Sequence, residues 1–257
     1  MTTAINLNAD VGEGYGRYTV GDDRAVIGLV QSANIACGFH AGDPVVMART
    51  VRLAAAHDVS VGAHPAFDDL RGFGRRQIRM SPQELEYLIA YQIGALQGIA
   101  AGAGVRVTHV KPHGALNNMA HVDAEYARAI ARAIKATDPN LIFVATACSE
   151  MVKAGHQAGL RVAEEGYLDR TYDDSGQLTP RSAPDAIIHD TDAAVRQVLS
   201  FLDAGGIVTR SGKRLPARLQ TFCAHGDDAA SIATLAAVRD ALLARGVRLA
   251  PLTQLTY

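Results

Sequence analysis

Along the chain, short β-branched runs alternate with longer stretches of helical periodicity, the pattern of repeated βαβ units around a parallel sheet. The runs at residues 4–8, 32–37, 59–63, 105–111, 141–146, 160–164, 219–224 and 247–250 read as strands. Asp43 before Pro44 predicts an N-cap followed by proline in the first helical turn. Ser81-Pro82-Gln83-Glu84 predicts a capping box, in which serine and glutamate each satisfy the other's exposed amide. Gly159, Gly205 and Gly246 are placed to close helices. The apolar, Gly/Ala-rich stretch 93–103 reads as a buried helix. Two polar segments rich in Gly, Pro and Arg, 65–80 and 166–186, break the rhythm as long loops, and 205–218 reads as a hairpin. No repeat or linker divides the chain, so one domain over residues 1–257 is expected.

Polar residues follow a second pattern. Asn8, Asp10 and Glu13 end the first strand region, His40 and Asp43 the second, and His64 the third. His109, Lys111 and His113 end the fourth. Glu165, Asp169 and Arg170 follow the sixth, and His225 and Asp227 the next. Ionisable groups thus gather after the C-terminal ends of strands, where α/β barrels build active sites. Few stand at the N-terminal ends.

The 257 residues are 48% hydrophobic and 20% charged with a formal net charge of -1, which provides a full core and no broad positive field for nucleic acid or a membrane. Tryptophan is absent, which removes the best stacking surface for single strands. The N-terminus has no basic stretch followed by an apolar run, and no segment is apolar enough to span a bilayer. Cys37, Cys148 and Cys223 are odd in number and widely spaced, so they read as small buried apolar residues in a reducing, cytoplasmic setting.

The candidate chemistry follows from residue type. Asp10 and Glu13 supply two carboxylates for general-base or metal-binding work. His40, His64, His113 and His225 can move protons near neutral pH. Asp43 reads mainly as a cap. His109, Lys111 and His113 share strand parity, and a lysine aimed into a barrel mouth needs an anion or a proton to handle. Pro112 rules out a helical zinc pair from His109 and His113. The guanidinium groups of Arg75, Arg76 and Arg170 in the long loops can hold a substrate carboxylate or a phosphate, with Asn8, Asp169 and Asp227 as further binding groups. The glycines after Asp10 miss the dinucleotide fingerprint because Arg17 takes its third glycine position. The Gly–Lys stretch at 206–213 lacks phosphate-loop spacing, and Arg214 stands where Ser or Thr is required.

At these residues the sequence resembles the LamB/YcsF family, the A subunits of ATP-dependent 5-oxoprolinase. The blocks NADVGEGYG, SANIACGFHAGDP, VGAHPAFDDLRGFGRR, YQIGAL, HVKPHGAL, EGYLDRTY, LTPRS and CAHGDD follow the family's order over nearly the whole chain. The resemblance implies a distorted or incomplete (β/α) TIM-like barrel of seven to eight mostly parallel strands, similar to the glycoside hydrolase/deacetylase superfamily. It further implies hydrolysis of 5-oxoproline to glutamate together with 5-oxoprolinase subunits B and C, ATP being used by the complex. Asn117, Leu168, Asp228 and Ala229 depart from the family pattern and bear on substrate preference. Two other readings stay open. Asp10 with two strand-tip histidines can hold a divalent metal for deacetylase-like hydrolysis without ATP, or the chain is a non-catalytic binding or scaffold subunit. A homo-oligomer is compatible with either.

Overall fold

The computed structural model describes residues 4–224 and 229–257. Seven parallel strands form the barrel: β1 (Ala4–Val11), β2 (Ser32–Ala36), β3 (Ser60–His64), β4 (Val107–Val110), β5 (Ile142–Thr146), β6 (Arg161–Tyr167) and, after the antiparallel hairpin β7 (Gly206–Val208) and β8 (Arg214–Pro216), β9 (Leu219–Ala224). Each strand pairs with the next in chain order, and β9 closes the ring by pairing with both β6 and β1. The short β10 (Arg248–Leu249) adds to the start of β1. Closure leaves the barrel without a free sheet edge, and all of β2 and β5 is buried, as expected of strands covered on both faces.

The helices are α1 (Asp23–Ile27), α2 (Pro44–Ala56), α3 (Pro82–Gly102), α4 (Gly114–Val122), α5 (Ala124–Thr137), α6 (Glu150–Gln157), α7 (Thr191–Ala204) and α8 (Ala229–Ala244). Local chemistry starts them where the sequence says. Asp43 accepts from the amides of Val45 and Val46, and the Ser81–Glu84 box is complete. The expected burial of 93–103 is corrected: α3 buries Ile89, Ile93, Leu96 and Ala100 on one face and exposes Tyr87 and Tyr91. It is an outer-layer helix whose small residues form part of one stripe.

Two strands run further than expected. β1 reaches Val11 and β6 reaches Tyr167, so Asp10, Glu165 and Tyr167 sit on strands. Alternation then decides which side chains enter the barrel. Inside, the floor is apolar: Leu252 packs on Ile142, Val144 and Ala163, flanked by Leu255 and Tyr257. Asn6 ties this plug in place by donating to the carbonyl of Ala250. Above the floor the interior turns polar, with Asn6, Ser32 and Thr221 joined below Asn8, Asn34 and His109. The stretch 206–213 lies in the β7–β8 hairpin, so no phosphate-binding loop forms there.

Candidate active site

Lys111, just beyond β4, is the centre of a buried polar network and only 2% exposed. Its Nζ lies 3.0 Å from Asp10 Oδ1, 3.1 Å from Glu165 Oε1, 3.3 Å from Asn8 Oδ1 and 2.9 Å from Cys223 Sγ. Burial works against its charge, but the Asp10 carboxylate, with Glu165 behind it, holds the ammonium well above its usual pKa. Burial pushes the Cys223 thiol up despite the nearby ammonium, so the pair is an ammonium donating to a neutral thiol. Asn8 donates to Glu165 and Thr221, and Asn34 donates to both Asn8 and Asp10. His109 reaches the Asn34 carbonyl oxygen at 3.0 Å. Its pKa falls to about 3, first through burial and then through Lys111, so its ring is neutral and donates to Asn34.

A second group adjoins the first. His64 donates from Nδ1 to the Lys111 carbonyl at 2.7 Å, and its Nε2 stands 3.2 Å from Asp10 Oδ2 and 3.0 Å from His113 Nδ1. His113 in turn donates from Nε2 to the carbonyl of Phe73 at 2.9 Å. Phe73 presents that carbonyl from the left-handed region, φ 55°, a conformation bulky residues rarely take. Gly74 follows with φ 64°, and any β-carbon there would meet His113 and His40 at 2.8 Å. His40 stacks on His113 with ring centroids 3.9 Å apart and lies 3.6 Å from Glu13. Burial, followed by neighbouring histidines, lowers the pKa of both His40 and His113 well below the imidazole range.

Over both groups opens a cavity of about 390 Å³, within the range of small-molecule sites (roughly 300–1,000 Å³). The two long loops form its rim: Phe73 and Arg75 from the first, Arg170, Leu178, Thr179 and Arg181 from the second. Arg170 is buried and fastened by its guanidinium to the carbonyls of Ala186 and Thr179.

The expected residues therefore divide. Asp10, Glu13, His64, Lys111, His113, Arg75 and Arg170 line the cavity. Asn8 and His40 lie beneath it, fully buried, so Asn8 acts on Lys111 and Glu165 instead of on a ligand. Arg76 is corrected: Asp69 binds its guanidinium, and it does not line the cavity. Asp169 also stands outside the lining. His225 and Asp227 lie outside the described residues. Residue type and spacing place Glu165 and His109 at strand ends without assigning them a task, and give Asn34 and Cys223 no role in the site. The polar Asn34 within the apolar run SANIA is the signal that could have found one of them.

A closed parallel (β/α) barrel whose C-terminal mouth carries a buried lysine–carboxylate network beside an imidazole cluster defines a barrel protein equipped for acid–base and electrophilic chemistry. The chain belongs to the LamB/YcsF family, whose model matches residues 5–257. It is 51% identical to the A subunit of 5-oxoprolinase from Azoarcus sp. (strain BH72) over 98% of both chains. The crystal structure of a lactam utilization protein from Thermus thermophilus superposes with a TM-score of 0.90 at 44% identity, covering 96% of this chain and 99% of that one. A T48 deacetylase, 16% identical with a TM-score of 0.50 and covering 98% of this chain and 90% of that one, shares the fold alone. Among the described residues no helix is long and apolar enough to cross a membrane.

Proposed function

We propose that this chain, acting as one barrel domain, is the subunit of an ATP-dependent 5-oxoprolinase that opens the lactam of 5-oxoproline to glutamate. The observation that carries the reading is the Asp10–Lys111 pair, 3.0 Å apart at the base of a cavity rimmed by arginines, in a chain half identical to proteins named as the A subunit of 5-oxoprolinase. A five-membered lactam is a poor electrophile because its nitrogen lone pair is delocalised into the carbonyl. Phosphorylation of the amide oxygen converts it to a more electrophilic imidate-like species. Addition of water and protonation of the ring nitrogen then break the C–N bond and leave γ-glutamyl phosphate, which a second water hydrolyses to glutamate and inorganic phosphate. ATP supplies that phosphate through subunits B and C, since this chain's one Gly–Lys stretch is a hairpin.

Within this chain Arg75 or Arg170 receives the ring carboxylate. Asp10 or Glu13 takes a proton from the attacking water, and Lys111 stabilises charge developing on oxygen. His64 or His113, which both line the cavity, moves the proton toward the ring nitrogen as it leaves. The three cysteines, all free thiols, suit a reducing cytoplasmic compartment.

The test is Asp10→Asn, which keeps the shape and removes the charge, assayed with the partner subunits for ATP-coupled glutamate formation. Loss of about tenfold or more is expected, the range of general acid–base contributions starting near 10². Wild-type turnover in the folded variant would remove Asp10 from the chemistry.

A further inference from the structure

We propose that Glu13, His40, His64 and His113 form a binding site for one divalent transition-metal ion of the zinc class. The ligand atoms of these four residues lie within 4.8 Å of one another, and all four residues are buried. The tautomers carry the inference. A backbone carbonyl only accepts, so His64 must hold its proton on Nδ1, facing the Lys111 carbonyl, and a neutral ring leaves a lone pair on Nε2. By the same logic His113 holds its proton on Nε2, facing the Phe73 carbonyl, with a lone pair on Nδ1. These two lone pairs point at each other across 3.0 Å, with Asp10 Oδ2 only 3.2 Å from one of them. Two acceptors and a carboxylate at that range repel unless a cation lies among them.

His40 adds a third imidazole. Among the described residues neither of its ring nitrogens has a hydrogen-bond partner, although the side chain is fully buried. Buried polar atoms are nearly always satisfied, so such a ring marks a missing partner. Its Nε2 lies 3.6 Å from Glu13 Oε1, and the same oxygen is 3.9 Å from His113 Nδ1. Three imidazoles and one carboxylate are a borderline-soft donor set that suits zinc, iron or nickel, and not the all-oxygen shell that magnesium or calcium takes. The carbonyls of Lys111 and Phe73 fix the ring orientations, the part outer partners play around metal-bound histidines. Glu13, His64 and His113 also line the cavity, so an ion here has one side open to a ligand. The set differs from an Asp10-based one: Asp10 is drawn to Lys111 and Asn34, and Glu13 takes the place beside the imidazoles.

The competing arrangement is a proton on His64 Nε2, which would bridge Asp10 and His113 without any metal. The experiment separates the two. The whole chain, stripped with a chelator and dialysed, is titrated with Zn²⁺ alone while bound zinc is measured by elemental analysis. Co²⁺ is then added in place of zinc and its visible absorption recorded. The expected result is one ion per chain, a rise in Tm of several degrees, and a Co²⁺ spectrum with imidazole ligation. His113→Ala and Glu13→Gln should each weaken binding by about tenfold to a hundredfold or more, the scale at which even outer-shell partners act. Glu165→Gln, outside the four, should leave stoichiometry unchanged. No saturable zinc binding by the folded wild-type chain would overturn the site, as would binding of equal strength in the His113 and Glu13 variants. The inference stands on ligand geometry and not on the lactam reading. Zinc binding without glutamate formation would leave the site and remove that reading; glutamate formation by a chain that binds no zinc would do the reverse.

Discussion

Gly62 and His109 are register partners at the point where the β3–β4 ladder slips, and the imidazole of His109 lies directly over the Gly62 α-carbon. A β-carbon at position 62 would overlap the ring. The ring in turn orients Asn34, which holds both Asn8 and Asp10. Gly62→Ala is therefore expected to cost about 1–3 kcal/mol, the usual penalty of overpacking. Adding His109→Ala should recover part of the loss, and a double-mutant cycle by denaturant unfolding measures the coupling. Additive losses would show that the two residues do not share space.

The ion cluster around Lys111 makes an unequal prediction for its two ends. Lys111→Met leaves the carboxylates of Asp10 and Glu165 facing each other without the ammonium, and removal of one partner from a buried pair costs about 3–5 kcal/mol. Glu165→Gln keeps a hydrogen-bond acceptor for Lys111 and Asn8 and leaves Asp10 as counter-ion. It should lose markedly less stability than Lys111→Met. Equal midpoints in urea would contradict this ordering.

Acid should destabilise the fold in a defined window. Burial lowers the pKa of His121 from 6.5 to about 4 and, with Lys111, that of His109 from 6.5 to about 3. Below the unfolded value the unfolded chain binds protons that the folded chain refuses. Stability contributed by the neutral rings is thus complete above pH 6.5. It falls as pH drops toward about 4 for His121 and about 3 for His109. His121→Gln should flatten the upper part of this slope in pH-dependent unfolding, and an unchanged slope would exclude His121 as its source.

Asp43 binds two segments at once. Besides capping α2 through Val45 and Val46, it accepts from the Gly16 amide at 2.7 Å and so pins the loop that carries Glu13. Asp43→Ala should cost about 0.5–2 kcal/mol as a lost cap. Faster hydrogen exchange at Gly16 would report the freed loop, whereas exchange unchanged there would assign Asp43 to the helix alone.

Much of this molecule was legible before folding. Alternating periods predicted the strands and helices, and Asp43, Ser81 and Glu84 start their helices because capping depends on neighbours within four residues. The gathering of Asp10, His64, Lys111 and His113 was also readable, since strand polarity places the C-terminal ends of parallel strands at one mouth. Strand length was less legible: Glu165 and Tyr167 read as loop residues because an inward glutamate breaks the apolar run that marks a strand.

Barrel closure decided the rest. Cys223 reads as an ordinary buried thiol, yet the β9–β1 pairing brings it to Lys111, 112 residues away in sequence. Arg75 and Arg76 are equivalent in composition, and only the position of Asp69 turns one to a salt bridge and leaves the other at the cavity. The facing ring nitrogens of His64 and His113 depend on the carbonyls of Lys111 and Phe73, which no spacing rule specifies. Residue type and local period thus set which groups are available and at which end they stand. Their partners, protonation and ligands follow from distances across the ring, which exist only once the chain has closed on itself.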